Sequence, residues 1–383
     1  MPLNDYLKLI FGYEFVRKFD DDLRVKLDTQ LLSSYLFIEE NKAYYHPSSL
    51  KAFLYFLKVG SIKTKLKISY VFLFHLIKEL FKIKIQSSKI FIQTLNGIII
   101  INLDTEKVLK VISPIDSEPN FILNEKIANK FIPDYVPKMT KSIVGKSLCC
   151  IENELISDYE IMRLNRWIFI SHLPFQNLFK LYRNYGFEEV PLIDYLNDFK
   201  NEIIEIEKQT PFKEELKQIQ KFFIHLENFI LNNGISNKNI YYKTMTHGDM
   251  MPSNVFRKDQ KYIIFDWANG GVNNFFYDLM IQEFYWPDSY VWKNFHKLDF
   301  KDFSKKKNFK NLGNHFINFL EKKTSHKLDI EFIKISIIFS LFEMAIKNAK
   351  RHSYNSYFYN EGEEILKIVN KIFLNIEKSL EKV

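Results

Sequence analysis

The sequence predicts an α+β fold of two lobes, in which a small antiparallel β-sheet lobe precedes a larger helical lobe. Residues 88–112 alternate between apolar and polar side chains, which is the period of β-strands. A short helical stretch and two further strand-like stretches follow, and beyond residue 157 the apolar residues recur mostly at helical spacing. We therefore predict a mostly helical accessory segment over 1–87, a small lobe over 88–156 and a helical lobe over 157–383.

The composition is that of a folded protein with a substantial core. The chain has 383 residues, of which 46% are hydrophobic, and only 11 Gly and 11 Pro, which argues against a fibrous or disordered chain. Cys149 and Cys150 are adjacent, so we expect no disulfide framework and no zinc site, but two small buried residues in a strand. The N-terminus lacks a signal-peptide pattern, and no run approaches the roughly 18 apolar residues of a membrane span. These features predict a cytoplasmic protein.

The formal net charge of +8 is unevenly distributed along the chain. Residues 51–90 contain nine lysines and one glutamate, so this segment alone matches the whole excess. Two interpretations stay open: the solvated lysine face of a folded helical region, or a basic surface that makes peripheral contact with an anionic membrane or glycan. Residues 71–81 are apolar all round, which predicts a half-buried helix. No nucleic-acid-binding motif accompanies the lysines, so no nucleic acid is expected as a partner.

Five strands and one helix are predicted for the small lobe. The stretch KIFIQTLNGIIIINLDTEKVLKVIS predicts three antiparallel strands, with turns at Asn96-Gly97 and at 104–107. The stretch FILNEKIANKF predicts a short helix. Two more strands are expected near 138–144 and 147–152.

The helical lobe has one clearly bounded helix and two long ones near its end. The first runs over 211–232, where Thr210 is a suitable N-cap and Gly234 follows its last turn. The long helices are expected over 329–351 and 360–381.

One β-like excursion interrupts the helical lobe and carries its polar residues. Within THGDMMPSNVFRKDQKYIIFDWANGG, residues 246–271, the runs VFR and YIIF predict a hairpin centred at 259–260. That register places Asn254 opposite Phe265, so that Asp266 lies one step away across the ladder, within about 5–7 Å. An amide oxygen beside a carboxylate suits Mg²⁺, which prefers oxygen ligands.

Asp249 stands five residues before Asn254, on the loop that leads into the hairpin. A carboxylate held close to a metal–phosphate site, but off the metal, can orient a substrate hydroxyl group and accept its proton. Asp249 is therefore the predicted general base.

The combination THGDMMPSNVF, YIIFDWANGG and YDL resembles the catalytic region of the aminoglycoside phosphotransferase and choline kinase superfamily. Members of that superfamily share a two-lobed protein-kinase-like fold. The resemblance implies that Asp249 is the catalytic base and that Asn254 and Asp266 bind magnesium. It also implies that His247 and Asp278 support the catalytic loop.

The same resemblance extends to the small lobe. A kinase-like lobe needs a lysine on its third strand to hold the nucleotide phosphates and a helix glutamate to orient that lysine. Lys110 on the third predicted strand and Glu125 on the following helix match these two roles. The hinge that would bind adenine follows the fifth strand, where the candidates are the four residues from Glu152 to Leu155. No G-x-G-x-x-G motif covers the phosphates, a motif that the phosphotransferase branch often lacks.

The predicted function is ATP-dependent transfer of the γ-phosphoryl group to a hydroxyl group of a small molecule or a sugar, with ATP and Mg²⁺ as cofactors. Eleven residues separate Asp266 from Asp278, too few for the peptide-docking segment of a protein kinase. The acidic residues of 187–208 either line a pocket for an aminoglycoside or form the solvated face of an amphipathic helix. A sugar of surface-polysaccharide metabolism is an equally open acceptor. The alternative is a catalytically inactive nucleotide-binding or scaffold protein with this fold.

Overall fold

The structure of the chain is a computed structural model that describes part of its residues. These are residues 16–17, 26–27, 36–38, 43–45, 50–59, 65, 68–69, 89–93, 97–112, 121–144, 149–156, 160–161, 175–209, 213–232, 240–251, 254–258, 261–284, 307–325, 327–328 and 330–353.

The contacts within the chain divide it into two compact units. Unit 1 comprises Met1–Asn129 and Pro137–Asp158, and unit 2 comprises Lys130–Val136 and Tyr159–Val383. The boundary after residue 158 lies two residues beyond the end predicted for the small lobe. The α+β class predicted from the sequence is confirmed, since unit 1 is built on an antiparallel sheet and unit 2 is mostly helical.

Unit 1 contains nine strands and two helices among its described residues, with the second helix running two residues into unit 2. They are β1 (Val16–Arg17), β2 (Lys26–Leu27), β3 (Leu36–Ile38), β4 (Ala43–Tyr45), α1 (Leu50–Val59), β5 (Lys89–Gln93), β6 (Gly97–Asn102), β7 (Lys107–Ile112), α2 (Phe121–Phe131), β8 (Met139–Val144) and β9 (Cys149–Glu154).

Seven of these strands form one antiparallel sheet in the order β3-β4-β5-β6-β7-β9-β8. The five strands predicted from the sequence are β5 to β9, and the side chains of Cys149 and Cys150 are buried in β9, as predicted. The structure differs from the prediction at the other edge, where β3 and β4 come from the segment predicted to be mostly helical. Each of the two strands has three residues, too few for a periodic signal, but their pairing covers the edge of β5.

The two faces of the sheet differ in what they carry. The register places Ile99, Lys110 and Ile151 opposite one another on neighbouring strands, so their side chains share one face, which we call the lysine face. Val108 and Asn153 are an opposed pair one period further along, on the same face. The other face carries apolar residues that are almost fully shielded from water: Phe91, Ile98, Ile100, Leu109, Val111 and Cys150.

Helix α1 packs on the lysine face beside the turn between β6 and β7. Ala52 is fully buried in one cluster with Ile90 and Ile101 of the sheet. On the exposed side of this contact, the ammonium group of Lys51 donates to the carboxylate of Asp104 at 2.7 Å. The apolar side of α1 is therefore used in the core of unit 1.

Unit 2 contains the remaining elements and two small sheets, ordered β11-β12-β15 and β10-β13-β14. Its elements are β10 (Glu160–Ile161), α3 (Phe175–Tyr185), β11 (Glu188–Pro191), α4 (Leu192–Gln209), α5 (Lys213–Asn232), β12 (Ile240–Thr246), β13 (Val255–Lys258), β14 (Lys261–Ile264), β15 (Gly271–Asn274), α6 (Tyr277–Phe284), α7 (Lys307–Thr324) and α8 (Ile330–Ser353), with 3₁₀ turns at Pro133–Tyr135 and Trp267–Asn269.

An aromatic cluster joins α4, β12 and α8 in the core of unit 2. The ring of Tyr195 stacks on that of Tyr241, with centroids 5.8 Å apart, and lies 4.9 Å from Phe339. Phe199 stacks on Phe339 at 5.7 Å. Such ring pairs add to the burial of apolar area, and they fix α8 against the strand that leads into the predicted site.

Two of the predicted helices are confirmed by α5 and α8, whose bounds lie within two residues of the prediction. None of the described helices is both long and apolar enough to cross a membrane. The predictions that fall outside the described residues are the N-cap Thr210, the end at Gly234, and the helices over 71–81 and 360–381.

The docking of α1 can be tested with an acidic substitution at a buried position and a matched one at an exposed position. Ala52→Asp is expected to lower the free energy of unfolding by about 3 kcal/mol or more, because it buries a carboxylate among apolar side chains. Leu54 is 53% exposed on the same helix, so Leu54→Asp is expected to change it by less than about 0.5 kcal/mol. Urea unfolding measures both variants, and equal effects would show that α1 does not pack on the sheet.

Candidate active site

The loop after β12 owes its shape to a glycine that no other residue could replace without strain. Gly248 has φ +79°, in the left-handed region, and a Cβ atom placed on it would lie 1.9 Å from the carbonyl oxygen of Asn269. The backbone after β12 therefore lies directly against the 3₁₀ turn that follows β14. A side chain at position 248 would force these two segments apart.

The carboxylate of Asp278, at the start of α6, fixes this loop by hydrogen bonds to its backbone. It accepts hydrogen bonds from the backbone N–H of His247 at 2.8 Å and of Gly248 at 2.7 Å. The hydroxyl group of Tyr182 on α3 donates to the same carboxylate at 2.8 Å. Asp278 is fully buried, so these three donors take the place of water around it. Burial raises the pKa of Tyr182, and the nearby charge of Asp278 raises it further, which keeps the phenol as a donor.

His247 ties the same loop to the end of β14. Its Nε2 lies 2.9 Å from the carbonyl oxygen of Phe265, which can only accept, so Nε2 carries the proton. Its Nδ1 then accepts from the backbone N–H of Asp249 at 3.2 Å. The buried ring is therefore held as one neutral tautomer, edge-on to Trp267 with centroids 4.6 Å apart.

Asn254 holds Asp249 by two hydrogen bonds from one nitrogen atom. Its Nδ2 donates to the Asp249 carboxylate oxygen Oδ2 at 3.0 Å and to the Asp249 carbonyl oxygen at 2.8 Å. Because the amide nitrogen serves Asp249, the oxygen Oδ1 is the atom of Asn254 that is suited to a cation. Asp249 itself is half-buried, which leaves its carboxylate within reach of a substrate.

The hairpin has the register that the sequence predicts. Val255 pairs with Ile264, and the N–H of Phe265 donates to the carbonyl of Asn254 at 3.1 Å, so Asn254 and Phe265 are opposed. The turn residues 259–260 lie outside the described residues. Asp266 follows directly and has φ 67° and ψ 63°, a left-handed conformation. In an extended strand Asp266 would point away from the face of Asn254, and the left-handed step breaks that alternation.

Helix α8 binds the segment between Asp266 and Asp278 through two side chains. These contacts were not predicted from the sequence. The two carboxylate oxygens of Glu343 accept from the backbone N–H of Asn274 at 3.0 and 2.9 Å. One turn further on, the ammonium group of Lys347 donates to the carbonyl of Asn269 at 3.3 Å. That carbonyl is the one against which Gly248 packs, so α8 supports the loop after β12 through the 3₁₀ turn.

Glu343 is a titratable group in the middle of this support. The surrounding side chains remove it from water and raise its pKa to about 7, against the opposing effects of the hydroxyl donor Tyr195, the Asn274 N–H, and the charges of Lys347 and Lys243. Glu343 therefore changes its charge near neutral pH.

In unit 1, the two residues expected to hold nucleotide phosphates lie together. The Nζ of Lys110 is 4.0 Å from Oε1 of Glu125, and the two side chains are 12% and 1% exposed. Their order along the chain and their placement on β7 and α2 are those expected from the sequence.

Of the hinge candidates, Leu155 directly follows the fifth strand of the small lobe, as expected, whereas Glu152 lies inside that strand. Glu152 lies within β9, on the face away from Lys110, and its Oε1 accepts from the Thr140 hydroxyl group at 2.7 Å. The N–H of Leu155 donates to the carbonyl of Glu106 at 2.8 Å. Both groups are thus engaged within unit 1. The residues beyond 156 that continue this stretch, 157–159, lie outside the described residues.

The donor set in unit 2 suits a hard cation. Asn254 and Asp266 bring an amide oxygen and a carboxylate from the two ends of one hairpin, without sulfur or imidazole ligands. In the part of the chain that the structure describes, no three His, Cys, Asp or Glu side chains form a metal-binding group. Two protein oxygens are compatible with Mg²⁺, which keeps waters and phosphate oxygens in its shell.

Comparison with known proteins finds distant structural likenesses. No protein-family profile and no curated protein sequence matches the chain. A putative aminoglycoside phosphotransferase from Ralstonia eutropha is 12% identical over 79% of this chain and 96% of that chain, with a TM-score of 0.46. A choline/ethanolamine kinase family protein from Mesorhizobium loti is 10% identical over 79% and 90%, with a TM-score of 0.40. A choline kinase from Streptococcus pneumoniae is 14% identical over 77% and 98%, with a TM-score of 0.40. These are proteins of the superfamily that the motif resembles, but at such identities and TM-scores the roles of individual residues depend on the geometry of this chain.

The raised pKa of Glu343 predicts a pH dependence of stability with a definite sign. Because the folded state holds this proton more tightly than the unfolded state, whose pKa is near 4.5, the stabilisation is complete below pH 4.5 and is lost as pH rises through about 7. The free energy of unfolding is expected to fall by about 1–3 kcal/mol over that range. Glu343→Gln lacks this proton, so the variant is expected to lose that slope. Urea unfolding at a series of pH values measures the difference, and identical slopes would contradict the assignment.

Proposed function

We propose that the chain is an ATP- and Mg²⁺-dependent phosphotransferase that transfers the γ-phosphoryl group to a hydroxyl group of a small molecule or a sugar. The observation that carries this proposal is the pair of hydrogen bonds from Asn254 Nδ2 to Asp249, at 2.8 and 3.0 Å. A carboxylate fixed in this way, on a loop anchored by Asp278, meets the need to position an attacking hydroxyl group.

Asn254 would serve the base and the cation with different atoms. Its nitrogen orients Asp249, and its Oδ1 would bind Mg²⁺ together with the carboxylate of Asp266. When bound, Mg²⁺ neutralises charge on the phosphate oxygens. Because Asn254 rather than Asp249 would bind the cation, the carboxylate of Asp249 would remain available to the acceptor hydroxyl group. Phosphoryl transfer requires both a bound cation and an oriented acceptor.

The proposed roles of these protein groups imply the following reaction steps. The oxygen of the acceptor hydroxyl group bonds to the γ-phosphorus of ATP, and Asp249 accepts the proton of that hydroxyl group. The bond from that phosphorus to the bridging oxygen breaks, and ADP leaves with the bonding electrons. In unit 1, Lys110 would balance the negative charge of the α and β phosphates, and Glu125 would orient it.

The residues between Asp266 and Asp278 favour a small acceptor. They are occupied by the 3₁₀ turn Trp267–Asn269 and by β15, which pairs with β12, so this segment is itself part of a sheet. No length remains in it for a peptide-docking platform. Several of the acids of 187–208 are exposed or paired with lysines, which favours a solvated helix face over a cationic-drug pocket. A sugar or an amino alcohol is therefore the preferred class of acceptor.

A catalytically inactive nucleotide-binding or scaffold protein is the second candidate. It would have no need for an oriented base, a neutral histidine and two oxygen ligands within one loop and hairpin. The candidate is favoured only if the chain binds nucleotide and transfers no phosphate to any acceptor.

The role of Asp249 is tested with Asp249→Asn, which keeps the shape of the side chain and removes the base. Turnover of ATP with an accepting hydroxyl compound is expected to fall about 10²–10⁴-fold, while nucleotide affinity stays within about threefold. A phosphate-transfer screen over sugars, amino alcohols and aminoglycosides first supplies the acceptor, and fluorescent-nucleotide titration measures the affinity.

Asp134→Asn is the matched control, because Asp134 is an exposed acid of unit 2 outside the loop. This variant is expected to keep wild-type turnover. Unchanged turnover in Asp249→Asn would exclude Asp249 as the base, and a wild-type chain that binds nucleotide without transferring phosphate would favour the inactive scaffold.

The basic segment 51–90 suggests an extension of this proposal to an acceptor on an anionic surface, such as a precursor of surface polysaccharide. The apolar side of α1 is used on the sheet, so such contact would be electrostatic. Wild-type protein is expected to float with phosphatidylserine vesicles at low salt, and substitution of Lys78, Lys82 and Lys84 by Gln is expected to weaken this binding by roughly tenfold or more. Equal flotation of the two proteins would contradict the extension.

A further inference from the structure

Lys347 on α8 is a half-buried cation that the proposed reaction steps do not use. Its ammonium group donates to the carbonyl oxygen of Asn269 at 3.3 Å and lies over the ring of Tyr277, 4.9 Å from the centroid. An ammonium group has three N–H donors. The carbonyl and the ring face use two of them, and none of the described residues accepts the third. One donor of Lys347 is therefore available to a ligand.

A gap beside Gly271 gives access to this ammonium group. A Cβ atom placed on Gly271 would meet two nitrogen atoms of the described residues, Nζ of Lys347 and Nδ2 of Asn273, each at 3.7 Å. The Asn273 amide already donates to the Thr246 hydroxyl oxygen and to the Gly271 carbonyl, so the positive potential in the gap comes from Lys347. Gly271 and Lys347 are both half-buried, which leaves the gap open to a ligand.

The gap lies next to the loop that carries the proposed base. The carbonyl oxygen to which Lys347 donates, that of Asn269, is the atom against which Gly248 packs. Because Gly248 directly precedes Asp249, these contacts place Nζ of Lys347 within roughly 11 Å of the Cα atom of Asp249. One sugar residue together with the Asp249 side chain is long enough to bridge that distance. The acceptor of the proposed reaction can therefore meet both side chains at once.

The neighbouring acid does not cancel the charge of Lys347. Glu343 stands one turn earlier on α8, and both of its carboxylate oxygens accept from the backbone N–H of Asn274. Burial raises the pKa of Glu343 to about 7, so that a substantial fraction of this group is uncharged at neutral pH. Lys347 therefore keeps a positive charge that an anionic ligand can neutralise.

We propose that Lys347 binds a carboxylate or phosphate group of the acceptor and so selects an acidic sugar, an inference that rests on the proposed phosphotransferase function. An anionic oxygen in the gap beside Gly271 accepts the third N–H of the ammonium group, while a hydroxyl group of the same sugar meets Asp249. A cationic acceptor is repelled at this point. The preferred class of acceptor thereby narrows from sugars and amino alcohols to sugars that carry a negative charge.

The experiment compares acceptors that differ in their charged group. The full-length chain, with ATP and Mg²⁺, is tested on neutral hexoses, on hexosamines, on a carboxylate series of hexuronic and sialic acids, and on a phosphate series of hexose 1- and 6-phosphates. The best acid is expected to exceed the best neutral hexose in kcat/KM by about tenfold or more, as for a hydrogen bond between charged groups. The hexosamines are expected to be the poorest acceptors. The carboxylate and phosphate series show which of the two anions is bound.

Substitution of Lys347 separates recognition of the acceptor from support of the loop. Lys347→Gln keeps an N–H donor for the Asn269 carbonyl but removes the charge, so the ratio of kcat/KM for acid over neutral acceptor is expected to fall to about one. A loss of loop support alone would lower turnover of all acceptors by a common factor and leave that ratio unchanged. Lys347→Arg is expected to keep the ratio. Lys217→Gln is the matched control, because Lys217 is an exposed lysine of α5 that pairs with Glu214 at 3.0 Å.

The outcomes separate this inference from the function on which it rests. A wild type that prefers neutral or cationic acceptors would overturn the inference and leave the phosphotransferase function standing, even if the variants fail to fold. The wild-type ratio in Lys347→Gln would equally overturn it, because another group would then bind the anion. A wild type that binds nucleotide and phosphorylates none of the compounds would contradict the proposed function itself.

Discussion

The buried carboxylate of Asp278 is the constraint on which the candidate site depends. Two consecutive backbone N–H groups, of His247 and Gly248, converge on it, and the Tyr182 hydroxyl group completes its shell. A buried charge with three donors is costly to disturb, because removal of any donor leaves part of the charge unsolvated. The helix start, the loop after β12 and helix α3 are thereby fixed to one another. The orientation of Asp249 is set by this arrangement before any ligand arrives.

Further hydrogen bonds restrain the loop after β12, and the side chains that make them are progressively less buried from His247 to Asn254 to Lys347. His247 connects the loop to the carbonyl of Phe265, and Asn254 connects the hairpin to Asp249. Lys347 on α8 reaches the turn at Asn269, against which Gly248 packs. Each contact restrains a segment on which the next depends. A site of this kind is rigid where it holds the base and is assembled from parts of the chain that lie about a hundred residues apart.

The hairpin could be predicted because its signal is local, whereas the pair of Lys110 and Glu125 was expected from the resemblance to a kinase-like lobe. The apolar runs on either side of 259–260 fix the register by symmetry, and the pairing of Val255 with Ile264 agrees with it. The α8 contacts left no such signal, since Glu343 meets Asn274 only after the chain has folded back over 69 residues. The strands β3 and β4 are too short for period-2 alternation to be visible. The end of β9 was predicted two residues too early, so Glu152 lies within the strand rather than at its end.

Asp266 has a consequence for how this protein changes over evolutionary time. Its left-handed backbone, with φ 67°, costs a non-glycine residue about 1–2 kcal/mol, and a glycine would remove that strain. If Asp266 binds the cation as proposed, the need for its carboxylate would keep this costlier side chain in place. Duplicated genes whose products no longer need this carboxylate are expected to acquire glycine or asparagine at position 266. The residue at that position would then distinguish active copies from inactive ones.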